Sequence, residues 1–216
     1  MNQLTKRIFI YVIGTFLLGV GVTFSIKADL GVSPVSALGY AISLITAISV
    51  GTAVFLSNFV FIGVQIILSR KFEGKQYILQ LISSVLVSVF IDLTLSLGSS
   101  LPVATTWWMK LIYLAISLVI VSIGVFLYIN ARLPLASYDA MIPVVGKRLN
   151  KPFGAAKTVS DLTNICVSGA LCLIFLQTLG SIGIGTLIAA YFTGKVVGFV
   201  MKIGREPLYK WLGFPL

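Results

Sequence analysis

The sequence has no histidine, six acidic residues and two cysteines among 216 residues. Without imidazole, the commonest general bases, metal ligands and near-neutral pH switches are excluded. Charged residues make up 10% of the chain, against about 25% in an ordinary soluble domain, so no water-facing surface can be built around it. The cysteines, Cys166 and Cys172, share one apolar segment. They read as small core hydrophobes rather than a disulfide or a metal site. No cofactor and no metal are expected. Nor is an enzyme: Ser160 with Lys157 is the one conceivable nucleophile–base pair, and no oxyanion site accompanies it.

What the chain has in abundance is apolar length. Hydrophobic residues are 58% of it and mean hydropathy is +1.05. Runs of about 20 apolar residues recur throughout, each long enough to cross a hydrocarbon core of about 30 Å. In lipid the backbone must satisfy itself, and no alternation of a barrel strand is present, so the runs are read as helices. Six spans are predicted, near 8–26, 52–69, 77–98, 110–129, 154–176 and 182–201. The first begins after Lys6-Arg7 and is read as a membrane helix rather than a signal peptide. Segments 31–49 and 134–146 are apolar but broken by Gly31 and Pro34, and by Pro134 and Pro143.

The net charge of +10 lies in short clusters between spans, which points to the positive-inside bias and anionic lipid, not nucleic acid. If neither broken segment crosses, Lys6, Arg7, Arg70, Lys71, Lys75, Arg132, Lys147, Arg148, Lys151, Lys202, Arg205 and Lys210 all fall on one side. Lys27, beside Asp29, is then the exception. This arrangement fits best and makes 31–49 and 134–146 re-entrant. Both termini are expected in the cytoplasm of a bacterium, the chain being a multi-pass protein of its inner membrane.

The chain also repeats. Residues 19–68, shifted by 103 positions without gaps, match 122–171 at twelve positions, including Gly21/Gly124, Ala28/Ala131, Leu30/Leu133, Gly51/Gly154, Ala53/Ala156 and Ser57/Ser160. Composition alone gives about four or five. The expected fold is therefore one all-α membrane domain over 1–216, with six transmembrane helices and two re-entrant helices. It is built as two repeats, roughly 8–103 and 110–206. Three crossings per half make the second half inverted, a pattern of secondary transporters, whose sites lie where broken segments match.

The stretch Ala28-Asp29-Leu30-Gly31-Val32-Ser33-Pro34, the segment Ala131 to Asp139 and the late Gly183-Ile184-Gly185-Thr186 resemble the YczE/YyaS/YitT family of bacterial membrane proteins. The resemblance covers most of the chain. It implies an integral protein of the bacterial plasma membrane, and no particular activity or catalytic residue.

Carboxylates inside membrane segments are costly and usually face a bundle interior or a water-filled cavity. Asp161 falls about 10 Å into its span, with Lys157 one turn earlier as substrate-site partner or structural ion pair; its repeat partner is Asn58. Ser33 before Pro34 reads as an N-cap, and Ser137 is expected to cap similarly with Asp139 in the first turn, matching Ser36. Two short helices would then point free N–H groups at a central site. Asp92 and Lys195 occupy equivalent positions and are considered as a pair across the repeat axis. Gly194 and Gly198 are expected to support close helix packing. The substrate-site candidates are Ser33, Ser36, Asn58, Ser137, Asp139 and Asp161. Asp161, Lys157, Asp92 and Lys195 are the candidate ion-coupling or ion-pair residues. The function expected is transport of a small polar solute or ion, coupled to protons through the buried acids. The alternative is a non-transporting accessory or regulatory protein. The bilayer is the expected partner, with homo-oligomerisation left open.

Overall fold

A computed structural model describes residues 2–214. Among them every regular element is helical: α1 (Gln3–Ala28), α2 (Pro34–Thr46), α3 (Val50–Ser69), α4 (Gly74–Leu97), a 3-10 turn (Gly98–Ser100), α5 (Trp107–Asn130), α6 (Ser137–Leu149), α7 (Phe153–Leu176) and α8 (Ile184–Leu212). Six of these are long and apolar enough to cross a membrane. The spans start and stop within a few residues of expectation, except that α8 runs on to Leu212. α2 and α6 have 13 residues each. At 1.5 Å per residue that is about 20 Å, too short for a full crossing.

The 103-residue register reappears in the backbone. α2 and α6 begin and end at equivalent positions, as do the starts of α3 and α7. The left-handed residues that break the chain around the short helices also match: Asp29 with Arg132, and Ala47 with Asn150. Packing follows the same exchange of halves. α1 lies along α4 as α5 lies along α8, α2 meets α7 as α6 meets α3, and α2 meets α3 as α6 meets α7. The equivalent helices α1 and α5 form the most extensive contact. Gly21 admits Ser117 and Val121, while Gly124 admits Gly14 and Leu18. Small residues here let two backbones approach where lipid supplies no hydrophobic drive between helices.

α1 and α5 run antiparallel. Arg7 Nε donates to the Ala131 carbonyl at 2.8 Å, and Lys6 Nζ reaches the Trp211 carbonyl at 2.6 Å. Arg132 lies over Phe214. At the other end Asp29 pairs with Lys110 at 2.6 Å and Lys27 holds the Leu101 carbonyl at 3.1 Å. Lys27, out of place by charge counting, is thus tied to backbone beside an ion pair.

The symmetry fails in one pair. α3 packs along α4, whereas α7 and α8 touch only sparsely. Asp92 clamps the first pair: its carboxylate accepts from the Gly51 N–H at 2.7 Å and the Ser49 hydroxyl at 2.6 Å, at the start of α3. Its counterpart Lys195 is exposed and lies 3.7 Å from the centroid of the Tyr191 ring. The pairing of Asp92 with Lys195 is therefore not formed, because each is held on its own side. Among the described residues nothing lies within 4 Å of where a Cβ on Gly194 or Gly198 would stand; the glycines that do pack in this helix are Gly185 and Gly204. Cys166, expected in the core, is exposed, while Cys172 is buried; both are free thiols.

Candidate functional site

The two short helices aim their first turns at the middle of α3 and α7. Ser33 stands at the N-cap position of α2, but its hydroxyl makes no cap bond. It meets the Ser36 hydroxyl at 3.1 Å instead. Ser137 is not a cap: Ala136 takes that position and Ser137 is the first helical residue. The capping of α6 comes from other helices. Asn58 Oδ1 accepts from the Ser137 N–H at 3.1 Å, and the Tyr128 hydroxyl accepts from the Ala136 N–H. A side chain three helices away in sequence therefore does what a local serine was expected to do, since a buried N–H must find an acceptor somewhere.

Asn58 and Asp161 occupy equivalent places with different work. Asp161 is buried. It accepts two bonds from Lys157 Nζ, at 2.7 and 2.9 Å, and one from the Tyr138 hydroxyl. Lys157 also lies 5.3 Å from the centroid of the Tyr138 ring. The carboxylate, the ammonium and the phenol thus compensate one another. Asn164, one turn further along α7, donates its amide to the Pro34 carbonyl. α7 therefore grips the first turns of both short helices, α6 through Asp161 and α2 through Asn164.

Gln65 and Gln80 exchange two amide bonds at 2.9 and 3.0 Å, and Gln65 also donates to the Ser137 carbonyl at 3.1 Å. These glutamines, with Tyr138 and Tyr128, were not singled out from the sequence. Amides inside apolar spans were the available signal. Asp139 forms no ion pair among the described residues. Among the described residues Ser88, Ser137 and Ser160 bury hydroxyls without a hydrogen-bond partner; the last two stand at this site, where a polar ligand atom could meet them.

A vestibule of about 710 Å³ reaches this region, with Glu73, Lys75 and Gln80 on one wall and Pro134, Ala140 and Pro143 on the other. It lies at the end of the bundle that carries Arg132. The equivalent surfaces at the opposite end are zipped together. Gly183 and Gly31 stand where Gln80 and Pro134 stand in the vestibule. The Gly185 N–H donates to the Leu30 carbonyl at 2.7 Å, and the Val32 N–H to the Ser181 carbonyl at 3.1 Å. Gly31 has a φ of +92°, and a Cβ on it would strike the Gly183 backbone; both constraints demand glycine. Among the described residues no group of three or more acidic or cysteine side chains is placed to hold a metal ion.

Six crossing helices around two short inserted ones define a multi-pass helical membrane protein. The chain belongs to the family of unknown function DUF6198, whose model matches residues 5–202. It is 26% identical over 193 residues to the uncharacterized protein YyaS of Bacillus subtilis, covering 89% of this chain and 91% of that one. It is 24% identical over 199 residues to the uncharacterized membrane protein YczE of the same organism, covering 92% and 86%. An uncharacterized Haemophilus influenzae protein is 20% identical over 198 residues, covering 92% and 84%. The resemblance to YczE and YyaS is thereby borne out. No solved structure matches the chain.

Proposed function

We propose that the protein is a transporter of a small polar solute, working by alternating access between two inverted repeats. One observation carries the reading: at one end two equivalent surfaces flank a vestibule and meet through a side-chain bond, from the Ser83 hydroxyl to the Pro134 carbonyl at 2.9 Å, whereas at the other they are zipped backbone to backbone. Exchange of the two arrangements would close the vestibule and open the opposite end around a fixed centre. That is how inverted-repeat transporters move a solute. The fixed centre is the ring of Asn58, Ser137, Ser36, Asn164 and the Asp161–Lys157–Tyr138 cluster.

The internal compensation of Asp161 by Lys157 favours a solute that is polar overall rather than strongly charged. Asp139 and Asp161 are the groups available for proton coupling. We assign the basic end, with Lys6, Arg7 and Arg132, to the cytoplasm on the positive-inside bias, with both termini there and the protein in a bacterial inner membrane. We assign it no enzymatic activity.

The test is reconstitution of the purified protein alone into liposomes loaded with a mixture of radiolabelled amino acids, sugars and organic acids. Protein-dependent efflux of at least one solute is expected. A disulfide between Val32→Cys and Ser181→Cys, in a background lacking Cys166 and Cys172, should abolish that efflux, and a reductant should restore it. If no class of solute leaves, the transport reading fails and the accessory-protein reading takes its place.

A further inference from the structure

A second cavity, of about 250 Å³, lies between α3 and α7. α3 and α7 are equivalent helices, and residues lining it are related by the 103-residue register: Leu38 with Met141, Val60 with Thr163, Phe61 with Asn164, and Val64 with Val167. It therefore straddles the axis on which the repeats meet, on the side opposite the α1–α5 contact. Its mouth is formed by exposed Val60, Val159 and Val167 at mid-span, where a membrane helix faces hydrocarbon. Entry is from the bilayer, not from water, and the cavity shares no lining residue with the vestibule.

The two walls differ. The α3 wall is wholly apolar, whereas the α7 wall presents Ser160, Thr163 and Asn164. Ser57, the counterpart of Ser160, turns its hydroxyl back onto the Val54 carbonyl at 2.7 Å. Ser160 does not: it is 5% exposed and its hydroxyl has no partner. Asn164 commits its amide nitrogen to Pro34, leaving its carbonyl oxygen as an acceptor. The polar wall thus offers hydroxyls that donate or accept and a carbonyl that only accepts. That set suits a neutral group which both donates and accepts, a hydroxyl, and disfavours a carboxylate, which the Asn164 oxygen would repel. A hydroxyl in hydrocarbon has no partner and gains by finding one.

We propose that this cleft is a binding site for a small neutral lipophilic alcohol or phenol that reaches it through the bilayer. An apolar cavity of about 150 Å³ takes one benzene ring, so the volume here suits about ten heavy atoms rather than a whole phospholipid. The proposal rests on residence in the membrane; the cleft shares Asn164 and Tyr138 with the centre proposed for transport, and its test reads binding from the bilayer rather than solute movement.

The test uses the full chain in liposomes and a photoactivatable octanol carrying a diazirine, with adducts mapped by mass spectrometry. Adducts are expected on residues of the cleft, displaced by 1-nonanol and far less by n-decane at equal membrane mole fraction. Ser160→Ala, which changes almost no volume, should weaken labelling about fivefold, the effect of one lost hydrogen bond. Val64→Trp should fill the cleft and abolish it. Labelling of exposed α8 residues such as Leu187 and Phe199 at the same density, untouched by Val64→Trp, would mean bulk lipid contact only and overturn the site. Equal displacement by decane, or full labelling of Ser160→Ala, would overturn the hydroxyl assignment.

Discussion

Gly31 and Gly183 are packed backbone against backbone, while Pro134 and Gln80, each 103 residues away in register, stand on opposite walls of an open vestibule. The closed end depends on the absence of side chains. A Cβ on Gly183 would meet the Leu30 carbonyl, which cannot rotate away. Gly183→Ala should lower stability by about 1–3 kcal/mol, the range for overpacking. By contrast Gly194→Ala and Gly198→Ala, with open space around them, should be neutral or stabilising by about 0.5–1 kcal/mol. Thermal unfolding in detergent separates the two outcomes, and a loss at Gly194 equal to that at Gly183 would contradict the packing described.

Asp161 is buried and Lys157 only half so. Removal of the carboxylate leaves an ammonium that can retreat along its stem toward the basic end. Asp161→Asn should therefore cost about 1–3 kcal/mol, less than the 3–5 kcal/mol of a fully buried broken pair. The double variant with Lys157→Met should recover part of it. A double variant no more stable than the single would show that the pair is not what the two residues share.

Gln65 and Gln80 pair through both side-chain amides, and Gln65 adds a bond to the Ser137 carbonyl. Gln80→Leu strands the Gln65 carbonyl in an apolar setting, a penalty of about 1–3 kcal/mol. Gln65→Leu and Gln80→Leu together should cost less than the sum of the single changes. A double-mutant cycle by thermal unfolding measures this coupling, and strict additivity would refute it.

The Asp92 carboxylate accepts the Gly51 N–H in the first turn of α3 and the hydroxyl of its N-cap residue, Ser49. Asp92→Ala should destabilise by about 1–2 kcal/mol, as loss of a charged N-cap does. It should also raise hydrogen exchange at the start of α3 and not at the start of α7, where the N-cap residue Pro152 makes no side-chain cap bond among the described residues. Equal change at both ends would remove Asp92 from that role.

Gln3 Nε2 donates to the Gly213 carbonyl at 3.3 Å. Cysteines at positions 3 and 213, with Cys166 and Cys172 replaced, should therefore cross-link on oxidation. Both should react with a membrane-impermeant thiol reagent from one side only. Labelling from opposite sides would break the shared end on which the topology rests.

The sequence by itself determined residence in the membrane, six crossings, two short broken segments and the repeat that relates them. These follow from run length, hydropathy and an ungapped register, all local or periodic properties. It also brought Asp161 and Lys157 together, since residues four apart share a helix face. The tertiary structure decided what periodicity cannot encode. Capping of α6 by Asn58 and Tyr128, rather than by Ser137, depends on which helices lie beside its first turn. The separation of Asp92 from Lys195 arises because α4 is clamped to α3 while α8 stands away from α7. Which end is joined backbone to backbone is likewise shown only by the packed chain. Gly31 and Gly183 were legible as breakers of the chain; that they close one end of the molecule by touching each other was not.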